Sequence, residues 1–591
     1  MTSEPDTQQS PDQLAAARTR TRSRSRTGRP TSQALNRIYS RSYLDDRSLY
    51  HHEAAAGASD DEPDDEPDEQ ERESSDQAEE KEDEIVPEVR DGIPDERDLE
   101  KRDDAEKGQP ALEKAQSSRS KKDPNLVTWD SPEDPANPKN WSSSRKWAAT
   151  FVVSSFTFIS PVSSSMVAPA LQKVAADLKI TQEVESQLVL SIFVLAYSIG
   201  PLILGPLSEE YGRVPVLQLS NLFFLAWNLG CGFAQTKGQM LAFRFLSGLG
   251  GSAPLAIGGG VLSDCFRPDE RGKSIAIYSL APLLGPAVGP IAGGFIAETV
   301  TWRWVFWSVC IADVLIQLSG LVFLQETYAP KILHNKAKKL RKETGNENLK
   351  TEFEHPELNL INKLKVSLVR PFRMLATQPI VQCLAIYMAY IYGIMYLVLS
   401  TFPTLWTTMY HENNGIGGLN YISLGIGFFF GTQISAPIND RIYRRLKKRN
   451  NNVGRPEFRV PLMFPGSLLV PIGLFWYGWS AQAHIHWIMP NIGAVIFASG
   501  TIVGFQCIQT YLVDAYTRYA ASAVGAGAFL RSLAGFGFPL FAPYMYASLH
   551  YGWGNSLLAF IGIGLGIPAP FLLWNYGATL RAKSKFAAGG G

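Results

Sequence analysis

The run "SIAIYSLAPLLGPAVGPIAGGFIAE", Ser274 to Glu298, decides how this chain is read. It is apolar over the length of a membrane crossing, about 20 residues for a helix. Its centre, "GPAVGPIAGG" (285–294), packs four glycines and two prolines into ten residues. In water such a run would cripple a helix. In lipid it is tolerated, because neighbouring helices re-satisfy the freed backbone groups. Gly285, Gly289 and Gly293 repeat every four residues and make one smooth face for close helix contact. Pro286 and Pro290 repeat on an adjacent face and favour a bend. The stretch therefore reads as a kinked, tightly packed membrane helix.

Working outward, the 591-residue chain divides into two unlike pieces, so its zero net charge and near-zero mean hydropathy mislead. Residues 1–146 are polar, with a basic Arg/Ser run from Arg18 and an acidic run from Asp60. Such a segment buries too little apolar surface to offset its ordering entropy, so a disordered tail is expected. No apolar stretch lies near Met1, so no cleavable signal peptide is expected. From Trp147 the chain is mostly apolar. Six runs fall at 147–170, 186–207, 214–234, 239–263, 274–297 and 302–324. A polar stretch follows over 325–377. Six more runs fall at 378–403, 417–438, 460–480, 487–512, 520–547 and 554–577, before a short tail, 578–591. The expected fold is an all-α membrane protein, twelve transmembrane helices in two pseudo-symmetric six-helix halves (147–324 and 378–577).

Internal duplication supports the two halves. "GPLSEEYGRVPVL" after span 2 and "APINDRIYRRL" after span 8 each carry a Pro, then an acid (Glu209, Asp440), then a Tyr and basic residues. Duplicated halves are common in secondary transporters, with the substrate site between them near the midplane. Span 5 is then expected to pack against span 8 at the interface, as a seal against proton leak. Lys and Arg gather in the loops after even-numbered spans, which places both termini in the cytoplasm. Asn140-Trp141-Ser142 matches a glycosylation pattern but falls on that side and is expected to stay unmodified. The five cysteines show no C-x-x-C spacing, and no P-loop, metal-ligand cluster or H-E-x-x-H occurs. Neither an enzyme nor a metal or cofactor site is expected.

At this point the chain resembles the major facilitator superfamily over residues from about 140 to 580. "GPLSEEYGRVPVL" is similar to the family's loop 2–3 motif through Gly205, Gly212 and Arg213, with Glu209 in place of an Asp. "RFLSGLGGS" from Arg244 is similar to the span 4 motif, and "GPAVGPIAGG" to the span 5 motif that marks proton antiporters. "WDSPEDPANPKNWSSSRKW", "SDCFRPDERGKSIAIYSLAPLLGPAVGPIAGGFI", "WRWVFW", "QETYAPKIL" and "YLVDAYTRYAASAVGAGAFLRSLAGFGFPLFAPYMY" resemble the fungal twelve-span drug:proton antiporters. The resemblance implies efflux of structurally varied toxic molecules against a proton gradient. The alternatives are a dedicated exporter of a self-made toxin or of polyamines, then a nutrient permease. The implied partners are small-molecule substrates, protons and the lipid bilayer. No nucleic acid is expected, and a monomer in the plasma membrane, or else the vacuolar one, is.

Candidate site residues follow from charge at membrane depth. Arg244 lies about one turn into span 4, where a charge costs roughly 2.5–3.5 kcal/mol on insertion scales. It is read as a coupling charge, with snorkelling to the interface as the alternative. Asp264, ending span 4, is the first choice of proton carrier, or else a partner of Arg267 or Arg271. Asp313, mid-span 6, is the second, unless Gln317 one turn on satisfies it. Glu209, Arg213 and Asp440 sit at inner helix ends and are read as a conformational switch, pairing when the inner face closes. Gly285, Pro286, Gly289, Pro290, Gly293 and Gly294 form the antiporter-motif helix. Tyr387, Tyr390 and Tyr392 of span 7, Gln506 and Gln509 of span 10 and Arg531 of span 11 are the expected cavity residues, with Tyr396 one turn beyond Tyr392.

Overall fold

The computed structural model describes residues 125–267, 270–353 and 360–587. Most of the expected tail, residues 1–124, lies outside the described residues. The regular secondary structure of the described residues is helical apart from two two-residue strands, Leu126–Val127 and Lys350–Thr351.

Among the described residues, eleven helical stretches are long and apolar enough to cross a membrane. The last, Thr517–Ala582, has 66 residues. At 1.5 Å per residue it would run about 100 Å, three times the hydrocarbon core. It breaks at His550, whose φ of 55° lies in the left-handed region. The Tyr546 hydroxyl bonds Asn555 Oδ1 at 3.1 Å across this break. Nine residues of straight helix would hold those groups roughly 13 Å apart. The chain therefore folds back, and this stretch supplies spans 11 and 12. Spans 1, 2 and 3 are Ser143–Ser165, Glu183–Tyr211 and Arg213–Gly232. Span 4 is broken at Ser252 into Lys237–Gly251 and Ala253–Cys265. Spans 5 and 6 are Arg271–Thr299 and Arg303–Phe323. Spans 7 to 10 are Pro379–Thr404, Tyr421–Arg449, Met463–Gln482 and Ile488–Ala515.

Burial repeats in the first span of each half. In spans 1 and 7, 83% of the most apolar window is buried, against 39% in spans 3 and 6. Spans 1 and 7 are thus central, and spans 3 and 6 look outward onto lipid with exposed residues such as Leu219, Leu315 and Leu321. We call the end of the bundle where span 1 begins and span 12 finishes the terminal end.

Span 5 presents three different faces. A Cβ at Gly289 would lie 2.7 Å from the Val162 carbonyl oxygen, and one at Gly285 2.7 Å from the Pro161 Cβ. The 285/289/293 stripe therefore packs on span 1 of its own half, not on span 8. The neighbouring stripe does meet the other half. Gly418 backs onto the Pro290 carbonyl, and a Cβ at Gly425 would lie 2.9 Å from the Ala287 side chain. Gly294 abuts the backbone of Asn414 and Gly418, in the short helix Asn414–Leu419 before span 8. The third face, holding Ser279, Pro282, Leu283 and Pro286, lines a cavity.

The end of the polar leader, 125–146, is folded although its composition reads as tail. Buried Asp134 accepts hydrogen bonds from the Asp130 and Ala136 amides at 3.0 and 2.8 Å. Asn137 caps the turn Pro138–Asn140, and Trp141 is buried. Lys336, on the central-loop helix Ala329–Thr344, pairs with Asp130 at 2.6 Å and approaches Asp134 at 3.9 Å. Burial opposes ionisation of Asp134, but the two amides and Lys336 outweigh it and hold the carboxyl below its usual range.

Candidate functional site

A cavity of about 240 Å³ lies between the halves. The first half contributes Pro161, Tyr197, Tyr278, Pro282 and Pro286, and the second Met388, Tyr392, Tyr396, Phe505 and Arg531, among others. On span 5 its lining ends at Pro286, while the contacts with span 8 begin at Ala287 and run to the far end. The cavity thus sits on the terminal side of a closed seam. That seam is mostly backbone against small residues. Its polar contacts are the Gly415 amide donating to Glu298 Oε2 at 2.7 Å and a hydrogen bond between the Ser164 and Tyr396 hydroxyls at 3.3 Å.

Of the expected cavity residues, Tyr392, Gln506, Gln509 and Arg531 line it. Tyr387 and Tyr390 do not, which corrects that reading. Tyr390 donates to the Leu558 carbonyl on span 12, and Tyr387 packs against Gly566 beside span 10. Helix geometry is the reason. At about 100° per residue, Met388, Tyr392, Met395 and Tyr396 share one stripe, and 387 and 390 fall on another.

Arg244 is fully buried, so it does not snorkel. Its Nε donates to the Val189 carbonyl at 3.0 Å, and its two Nη atoms to the Ser163 and Ser164 carbonyls at 3.1 Å each. Span 1 ends at Ser165, and the last carbonyls of a helix have no intrahelical donor. Arg244 therefore caps span 1, where a cation also meets the negative end of the helix dipole. Its guanidinium stands 4.5 Å from the Phe193 ring. The glycines after it let span 4 approach its neighbours. A Cβ at Gly248 would lie 2.5 Å from the Phe193 carbonyl, and one at Gly250 2.5 Å from that of Ser220.

Asp264 pairs with Arg213, Nε to Oδ2 at 3.5 Å, rather than with Arg267. Glu209 lies 3.8 Å from Arg213 one turn back, and Ser208 Oγ accepts from Arg213 at 2.7 Å. Gly212 makes the turn between spans 2 and 3 with φ 104°, a conformation that favours glycine. Glu326, after span 6, accepts from the amides of Arg213 and Val214 at 3.0 and 3.2 Å, which seats an acid on the N-terminus of span 3. Tyr328 stacks on Arg213 at 4.7 Å, and burial pushes its phenol above the usual range.

The second half repeats this arrangement. Arg459 pairs with Asp440 at 2.6 Å and with Asp514 at 3.0 Å, and stands 4.3 Å from the Tyr443 ring. Asp514 ends span 10 as Asp264 ends span 4. The duplication could have found Arg459 and Asp514, since "LSDCF" and "LVDAY" close equivalent spans. Glu457 and Arg581, at 2.8 Å and nearly fully buried, carried no comparable signal. These ion pairs form inside one half. Glu209, Arg213 and Asp440 are thus already paired while the cavity sits on their side of the seam.

Asp313 is fully buried between spans 3 and 6, away from the cavity lining. Its partner is Asn221, whose Nδ2 reaches both carboxyl oxygens at 3.0 and 3.1 Å, rather than Gln317, which takes the same amide at 2.8 Å. Among the described residues no cluster of His, Cys, Asp and Glu is arranged to hold a metal.

Two six-helix halves around a shared cavity define a secondary transporter. The model described as Major Facilitator Superfamily matches residues 153–539, and the chain belongs to that superfamily. It is 58% identical to the efflux pump vrtL of Penicillium aethiopicum, over 79% of this chain and 92% of that one. It is 50% identical to an uncharacterized transporter of Schizosaccharomyces pombe, over 78% of this chain and 94% of that one. Its fold matches the partially occluded inward-open xylose transporter XylE from E. coli (TM-score 0.54, 18% identity, 73% of this chain and 98% of that one). It also matches an inward-facing bacterial homolog of the human lysosomal transporter Spinster (TM-score 0.56, 14% identity, 75% and 99%). The chain is a fungal efflux-type member of the superfamily and not an enzyme.

Proposed function

We propose that this protein exports small organic molecules in exchange for protons, by exposing one cavity alternately to the two faces of the membrane. The observation that carries this reading is the cavity shared by both halves and shut on one side by the seam of span 5 with span 8. A tightly packed, small-residue seam lets the halves rock without opening a proton leak. The relatives named as efflux pumps support the direction. The Lys and Arg of the terminal end support cytoplasmic termini, and the plasma membrane is the membrane this reading assigns. Protein acting alone as a monomer suffices, since one chain holds the whole cavity.

Asp264 is the proton carrier of this reading, and Arg213 the charge that holds its proton back. One proton entering at 100 mV supplies about 2.3 kcal/mol. Polyamine export fits less well, because no acid among the described residues lines the cavity.

Proteoliposomes carrying the full chain test this with fluorescent organic solutes of anionic, neutral and cationic type. An imposed proton gradient should drive uphill accumulation of at least one, abolished by a protonophore and by Asp264→Asn. Accumulation that ignores the gradient would sink the reading.

A further inference from the structure

The cavity holds one formal charge. Arg531, on span 11, is its only lining residue ionised at neutral pH, and no Asp, Glu, Lys or His lines it among the described residues. The guanidinium stands 5.0 Å from the Tyr392 ring and 4.9 Å from that of Phe505. Its Nε is buried and has no acceptor among the described residues. The other deep arginines differ. Arg244 is used up on three carbonyls and Arg581 on Glu457. Three of the cavity hydroxyls are also engaged: Tyr197 with Ser160 at 2.6 Å, Tyr278 with the Pro254 carbonyl at 3.0 Å, and Tyr396 with Ser164.

A charge at membrane depth is costly, and it is retained where something arrives to meet it. Here the fixed surroundings offer two aromatic faces and no counter-ion. We propose that the cavity is built for flat aromatic molecules bearing one anionic oxygen group, a carboxylate or an acidic phenolate. The anion takes the free edge of Arg531, where Nε and one Nη form a two-pronged donor matched to a carboxylate. The ring lies against Tyr392 or Phe505. A cationic analogue meets like charge and is excluded. This deepens the export reading by naming the substrate class, and rests on it only for the direction of transport.

The test is equilibrium binding to the purified full chain in lipid nanodiscs, with no gradient. Three fluorescent probes share one ring system: anthracene-9-carboxylate, its neutral primary amide and 9-(aminomethyl)anthracene. The acid should bind about tenfold tighter than the amide, as a charge-assisted pair requires, and the amine weakest. Arg531→Gln should erase the preference for the acid, weakening the acid far more than the amide, while an unchanged thermal melting midpoint reports a folded protein. Arg531→Lys, keeping the charge without the planar fork, should fall between. The proposal is overturned if the native protein binds the amide as well as the acid, if it does not bind the acid, or if Arg531→Gln keeps the preference. Failure of gradient-driven transport in proteoliposomes would remove the export reading and leave this binding result standing.

Discussion

Two glycines on one helix, five residues apart, should fail in different ways when each gains a single methyl group. A Cβ at Gly289 would lie 2.7 Å from the Val162 carbonyl and 3.2 Å from the Met166 amide, both backbone of its own half. A Cβ at Gly294 would press on the Asn414 carbonyl and lie 3.4 Å from the Gly418 Cα, both backbone of the opposite half. Backbone atoms cannot rotate aside, so each substitution is an overpacking of about 1–3 kcal/mol. For Gly289→Ala the cost falls in every state, because spans 1 and 5 move together. It lowers the melting midpoint and leaves the conformational balance alone. For Gly294→Ala the cost falls only while the seam is shut. The same 1–3 kcal/mol then becomes a shift of about 5- to 150-fold toward the open seam.

Distances between spin labels at Gln235→Cys and Ala483→Cys, exposed positions on the far end of each half, measure that balance. Gly294→Ala should add a longer-distance population, and Gly289→Ala should not. If Gly294→Ala leaves the distance distribution unchanged in a folded protein, span 5 does not form the seam that closes the far end. If Gly289→Ala opens the far end equally, the division into two rigid halves is wrong.

Three further outcomes follow from the polar contacts. Asp313→Asn should keep proton-driven transport within about twofold, since its partner is a neutral amide remote from the cavity; loss of coupling in a transport assay would make Asp313 a proton carrier. Glu457→Ala should lower stability by about 3–5 kcal/mol by stranding buried Arg581, while Glu457→Leu with Arg581→Met should recover most of it, read from thermal unfolding of the purified protein. Asp134, with its carboxyl held low, stabilises the docked leader above the unfolded carboxylate range near pH 4, and that contribution disappears as pH falls through the lower folded value. Protease cleavage within 125–141 should therefore rise in acid and in Asp134→Ala; cleavage unaffected by both would show that the turn does not hold the leader.

Much of the fold was legible because lipid leaves so few choices. Twelve apolar runs of crossing length, a charge bias in alternate loops and a repeated loop after spans 2 and 8 are local features of the chain. What each charge does was less legible. The depth of Arg244 could be read from its position in span 4, but its acceptors are carbonyls some 55 to 81 residues away, and any backbone offers carbonyls. Asp264 suggested nearby Arg267 or Arg271, and tertiary packing brought Arg213 instead. The tyrosines of span 7 were a missed inference, since helix periodicity alone separates Tyr392 and Tyr396 from Tyr387 and Tyr390. The glycine stripe at 285, 289 and 293 announced close packing without naming the neighbour. A smooth face fits any helix, and of the four motif glycines Gly294 is the one that met the other half.

The placement of strong and weak contacts bears directly on how such a molecule moves. Lys146–Glu270, Arg213–Asp264, Arg459–Asp514 and Glu457–Arg581 each join elements of a single half. Glu457–Arg581 is buried and expensive to break, and the other three, partly exposed, add weaker ties, so together they favour each half moving as one body. Across the seam the contacts are of another kind: carbonyls against glycines, Ala287 against Gly425, one amide on Glu298 and one pair of hydroxyls. None of these requires separating opposite charges. Opening this seam therefore exposes backbone and small side chains without separating opposite charges. A substrate anion at Arg531 then needs to supply only a small difference in affinity between the two states to move the equilibrium.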